Sequence, residues 1–138
     1  MRRLGVLALS SVAVAAGCGA HNEGAKTLAQ TTNAANAARA LQVLQVQTAP
    51  GTARRFSVRV LKATSQRVQL VLHNASKQPH NIAIKGNGID VKGRVTKTDR
   101  IPSTVTATLK PGTYTFYSSV DGDEAAGMRG QLVVAAPA

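Results

Sequence analysis

Cysteine is almost missing from this chain and tryptophan is wholly missing. Cys18 is the sole cysteine among 138 residues, so no disulfide can form within one copy. With two Tyr, two Phe and no Trp, the chain lacks aromatic platforms for stacked bases, and no nucleic-acid fold signature is visible. The core must therefore come from Val, Leu, Ile and Ala. Acidic residues are also scarce. Six Asp and Glu stand against 17 Lys and Arg, for a net charge of +11. Such a balance favours anionic surroundings: phospholipid head groups, acidic wall polymers or an acidic protein partner. No apolar run is long enough to span a bilayer. The longest, Leu4 to Ala16, holds about 13 residues where a spanning helix needs about 20.

That run has its own meaning. Met1-Arg-Arg-Leu supplies a positive start, and the short apolar stretch fits a secretory signal peptide. It ends at Ala15-Ala16-Gly17-Cys18, which resembles a bacterial lipobox, although Ala15 stands where that pattern prefers Leu. The resemblance implies cleavage before Cys18 and a lipid on its sulfur. Residues 1–17 are therefore read as a lipoprotein signal peptide. Without Arg2 and Arg3, the mature chain carries +9. Residues 18–40 are rich in Ala, Asn, Thr, Gln and Gly and read as a flexible tether. Within this region, Leu28 to Leu44 is a candidate for a weak Ala-rich helix.

From Leu41 the pattern turns to strands, and residues 41–138 read as one all-β domain. Leu41–Gln47 is a first strand. Phe56, Val58 and Val60 alternate with polar positions, as do Val68, Leu70 and Leu72. Asn81–Ile84, Thr104–Leu109, Thr113–Ser118 and Gln131–Val134 complete the set. Ala49-Pro-Gly-Thr52, Lys85-Gly-Asn-Gly88 and Lys110-Pro-Gly112 supply turns. Many short strands at this spacing predict a β-sandwich.

Two separated stretches carry a family resemblance. In the first, a strand ends at Asn74, a short loop follows, and His80-Asn81 opens the next strand. The second runs Lys110-Pro-Gly112, Tyr114-Thr-Phe-Tyr117, Ser118, then Gly122-Asp123 and Gly127-Met-Arg-Gly130. Together they resemble the two halves of a cupredoxin (plastocyanin-like, blue-copper) domain, over roughly residues 41–135. The resemblance implies a Greek-key sandwich. It also places His80, Ser118, Asp123 and Met128 where the family holds its metal, with Asn81 tying the ligand loops together. Two of these positions depart from the family, which has Cys where this chain has Ser118 and His where it has Asp123.

A blue-copper centre needs two imidazoles, a thiolate and a weak axial thioether. Ser118 offers a neutral hydroxyl and Asp123 a hard anionic oxygen. The set His80, Ser118, Asp123 and Met128 is therefore a vestigial or weak metal position. No resident cofactor is expected, and copper is not expected as a type 1 centre. His80 reads as a relic that hydrogen-bonds across the loops, and Met128 as a core plug. His73 reads as a surface or edge residue. Asp121-Gly-Asp123-Glu124 holds half the acids of the chain and reads as a solvated loop, with Lys77, Lys85 and Arg129 as candidate partners. Ser118 has no GxSxG surroundings, and no enzyme is expected.

The functional expectation is an extracytoplasmic lipoprotein, held to the membrane at Cys18. Its cupredoxin-like domain would act as a non-redox binding or structural module, with a protein partner from an envelope redox or metal-uptake system. The alternative is copper or iron handling through His80, Asp123 and Met128. Electron transfer is the weaker third reading.

Overall fold

The computed structural model describes residues 35–137. The signal peptide, Cys18 and residues 18–34 of the expected tether lie outside the described residues.

Strand β3 (Arg67–His73) shows how the sequence builds the core. Val68, Leu70 and Leu72 fall on one side by strand alternation, and all three are fully buried. Strand β1 (Leu41–Gln47) lies parallel to β3, with Leu41 opposite Arg67 and Gln47 opposite His73. Strand β6 (Ser103–Thr108) pairs antiparallel on the other side of β3. These form a three-stranded sheet in the order β1-β3-β6. The second sheet has five strands in the order β2-β8-β7-β4-β5. Its members are β2 (Val60–Ala63), β4 (Ala83–Gly86), β5 (Ile89–Lys92), β7 (Gly112–Tyr117) and β8 (Arg129–Val134). The expected all-β sandwich is present.

The core fills the space between the sheets with Leu70, Leu72, Ile82, Ile84, Phe116, Met128 and Leu132 among its members. Two of the four aromatic rings meet there, Phe56 and Phe116, with centroids 5.5 Å apart. Gly130 makes room for this packing. A Cβ at that position would lie 2.3 Å from Cζ of Phe116 and 2.6 Å from the carbonyl oxygen of Arg59.

Three expectations need correction. The strand expected through Phe56, Val58 and Val60 is split. A tight turn, with Arg55 N bonded to Ala53 O, sends Phe56 and Ser57 back along the end of β1. The chain then crosses to the other sheet, where Gln131 N donates to Arg59 O and β2 begins. Crossing inverts the alternation, so Phe56 is buried while Val60 is 53% exposed and Ala63 points inward. Strand β5 was not expected, because Asp90 and Lys92 obscure its short pattern. It follows from a two-residue turn in which Asn87 and Gly88 both take positive φ, 48° and 84°. Finally, among the described residues the Ala-rich helix covers one turn over 35–39, β1 takes residues 41–44, and positions 28–34 of that expectation lie outside the described residues. This turn is docked: Ala38 is buried, and its carbonyl accepts from Ser65 Oγ at 2.9 Å and Gln66 N at 2.8 Å. The packed domain thus reaches back to residue 35.

Candidate functional site

The ends of β3 and β7 and the starts of β4 and β8 converge on one pole of the sandwich. His80 sits just before β4. An antiparallel bridge holds its backbone, with His80 N to Thr96 O at 3.0 Å and Thr96 N to His80 O at 2.8 Å. Ser118 follows the last residue of β7. Met128 precedes the first residue of β8. The loop between them closes through its main chain: Ser118 N donates to Met128 O at 3.1 Å, and Met128 N donates to Asp123 O at 2.9 Å. All four sequence-predicted residues are therefore brought together at this pole, and each is almost completely buried.

The side chains of three of them bond directly. Oδ2 of Asp123 lies 2.7 Å from His80 Nδ1 and 2.7 Å from Ser118 Oγ. A carboxylate only accepts, so both neighbours donate to it, and the imidazole carries its proton on Nδ1. Asp123 is 1% exposed. The other carboxylate oxygen faces Arg54, with Nε 3.7 Å from Oδ1. Arg54 comes from the loop between β1 and β2 and remains half-exposed over the pole. Nothing in the local sequence marks it, because the turn at Ala53–Arg55 aims it here.

Asn81 performs the tie that the resemblance implied. Its Oδ1 accepts from Ser119 N at 2.7 Å, while its Nδ2 donates to Ser119 Oγ at 2.7 Å and Gly93 O at 2.9 Å. Asn74 does the same for the preceding loop, donating to Gln78 O and Thr96 O and accepting from Ser76 Oγ. Every buried side-chain nitrogen and oxygen among the described residues has a partner. The pole is thus a closed polar network.

The acidic loop differs from its expectation. Asp123 is not solvated but forms the centre of the network. Glu124 pairs with Lys85, one of the expected partners, while Asp121 stays exposed. Lys85 also lies 4.4 Å from the centre of the Tyr117 ring. The Tyr117 hydroxyl donates to Asp90, and Asp90 pairs with Lys92 at 3.1 Å. Burial, and then the bond to Asp90, pushes the Tyr117 hydroxyl up to about 12. The same bond, followed by Lys92, holds the Asp90 carboxyl below its ordinary range. His73, on the central strand of its sheet, is partly exposed and bonds to Asp99 and Gln45, as a surface histidine would.

Chemically, this arrangement has neither the geometry of a hydrolytic triad nor the ligand set of a type 1 copper centre. Ser118 directs its proton to Asp123 rather than to the imidazole, so no base is positioned to activate the hydroxyl. A type 1 centre needs a thiolate and two imidazoles. The pole offers one imidazole, whose Nδ1 is already committed to a carboxylate. Among the described residues, no group of three or more His, Cys, Asp or Glu is gathered around one point.

No protein-family model matches the chain, and no curated protein matches it either. Solved structures do. Auracyanin B aligns with a TM-score of 0.59 at 21% identity, over 71% of this chain and 91% of its own. Auracyanin A, a "blue" copper protein from Chloroflexus aurantiacus, aligns with a TM-score of 0.58 at 20% identity, over 69% and 99%. Dithionite-reduced auracyanin from Roseiflexus castenholzii gives 0.54 at 23% identity, over 68% and 97%. The fold is that of the cupredoxins. At these identities the likeness concerns the fold, and the chemistry of this cupredoxin-like domain rests on its own residues. Among the described residues, no helix is long and apolar enough to cross a membrane.

Proposed function

We propose that this chain is an envelope lipoprotein whose cupredoxin-like domain serves as a non-redox binding or structural module. One observation carries the reading. The carboxylate of Asp123 accepts from both His80 and Ser118 at 2.7 Å, in a site that water hardly reaches. Protein hydrogen bonds take the role that metal–ligand bonds have in a blue-copper protein, holding the loops of the pole together. Ser118 contributes a hydroxyl in place of a thiolate, and Met128 closes the core beneath it. The signal peptide over 1–17, lipidation at Cys18 and the tether expected over 18–40, whose last residues 35–39 form the docked turn, put the domain outside the cytoplasm in this reading. Its partner there is a protein of an envelope redox or metal-uptake system.

The test is a titration of the secreted chain with Cu(II), followed by absorption and calorimetry. The expected result is no intense blue colour and no tight binding. A strong thiolate-type absorption band would overturn the reading.

A second reading has one observation in its favour: His80, Asp123 and Met128, an imidazole, a carboxylate and a thioether, share one pole. Copper or iron would have to displace the proton that His80 holds on Nδ1. Binding that weakens as pH falls and disappears in His80→Ala would support this role. The electron-transfer reading draws only on likeness to the auracyanins.

A further inference from the structure

Strand β1 forms an open edge of the three-stranded sheet. Among the described residues it pairs with β3 on one side and, over Leu41–Gln45, with no strand on the other. The direction of its main-chain groups follows from two hydrogen bonds. Thr48 N donates to His73 O, toward β3, while Gln47 O accepts from Ser57 N on the opposite side. Successive residues of an extended strand aim their backbone groups to opposite sides. Leu41, Val43 and Gln45 therefore direct N–H and C=O toward the open edge. Among the described residues, no main-chain group meets them there.

Proteins normally blunt such an edge with Lys, Pro, a bulge or a cover. The opposite edge, β6, is covered. The 93–94 segment lies against it, with Ser103 Oγ bonded to Arg94 O, and a Cβ at Gly93 would meet Thr104 O at 2.6 Å. Among the described residues, only the Gln47 end of β1 is met in this way, by Ser57, and Leu41–Gln45 have no such cover. The strand reads Leu-Gln-Val-Leu-Gln-Val-Gln, without charge, Pro or Gly. Leu41 and Val43 are 43% and 45% exposed. Around Val43 the same outer face is uncharged, with Gln69, Val71, Thr104 and Thr106, and its one basic residue beside β1 is Arg67, opposite Leu41. In the other sheet, strands β2, β4, β5 and β8 each carry Lys or Arg.

We propose that β1 pairs antiparallel with β1 of a second copy, joining the two three-stranded sheets into one continuous six-stranded sheet. A two-fold axis at Val43 sets Val43 opposite Val43 and Leu41 opposite Gln45. The edge-directed groups of both strands then face one another and exchange hydrogen bonds. Charge selects this occupant. An acidic partner gains nothing from a neutral strand, whereas two copies of the basic mature chain, +9 without Arg2 and Arg3, repel wherever basic faces meet. The neutral strand is where like copies can approach. The inference does not depend on the reading of the His80 pole.

The experiment is sedimentation equilibrium on the secreted chain carrying Cys18→Ala, so that neither a lipid nor an intermolecular disulfide joins two copies. An edge contact of this size predicts a dissociation constant in the range of roughly 10–100 μM. Association should strengthen with added salt, because screening relieves like-charge repulsion. Val43→Lys places two ammonium groups opposite each other and should weaken the dimer at least about tenfold. Val43→Thr retains strand preference and should still associate. A chain that stays monomeric at about 1 mM overturns the proposal. So does a Val43→Lys variant that associates as tightly as Val43→Thr, since association would then use another surface.

Discussion

At the residue scale, Asp123 holds the pole together with two hydrogen bonds and one ion pair. Removing it leaves the buried His80 and Ser118 without their acceptor. Asp123→Ala should therefore destabilise the domain by about 3–5 kcal/mol, read as a fall of more than about 10 °C in Tm. Ser118→Ala removes one donor and leaves a usable carboxylate, so its cost should be nearer 1 kcal/mol. The residue alignment makes a second demand. Ser118→Cys combined with Asp123→His supplies the missing thiolate and imidazole beside His80 and Met128. The double variant should turn blue with Cu(II). If it folds and stays colourless, the assignment of positions 118 and 123 fails. The sequence could name these residues from their spacing, yet it left Asp123 in a solvated loop. Its burial depends on His80, 43 positions away, and on Arg54, which no motif includes.

At the element scale, the second sheet is stitched on its outer face by Tyr117 of β7, Asp90 of β5 and Lys85 of β4. This gives a pH dependence with a definite sign. The Tyr117 hydroxyl ionises at about 12 in the folded chain against about 10 when free. A raised value means that the neutral hydroxyl is favoured by folding. This contribution is complete below about pH 10 and is lost as pH rises through about 12. Tyr117→Phe should flatten the fall in denaturation midpoint across that interval. If the variant and the parent fall in parallel, the bond to Asp90 contributes nothing to alkaline stability. Element existence was legible wherever alternation ran unbroken, as in β1, β3, β6, β7 and β8. It was illegible for β5, which is set by the Asn87-Gly88 turn and by pairing with β4. It was misleading for Phe56 to Val60, where a change of sheet inverts which residues face inward.

At the scale of the whole molecule, topology separates two ends of the sandwich. The chain enters at Leu41, opposite Arg67 at the start of β3. His80, Ser118, Asp123 and Met128 gather beyond the far ends of β3 and β7. The chain therefore joins the domain at the end away from that pole. The anchor itself is tested by Cys18→Ala: the protein should move from the detergent phase to the aqueous phase. Unchanged partitioning would remove the lipoprotein reading while leaving the fold intact.

What the sequence alone determined was local and periodic. Strand alternation and turn chemistry predicted an all-β sandwich, and two motifs in order assigned its cupredoxin likeness. The missing thiolate was equally plain, because a residue type can be read without coordinates. The tertiary structure decided what required distant segments to meet. It turned Asp123 from a loop acid into a buried hydrogen-bond acceptor, brought Arg54 over the pole and set β1 at the edge of its sheet. Burial and pairing depend on which segments become neighbours in space, and the spacing of residues along the chain does not contain that information.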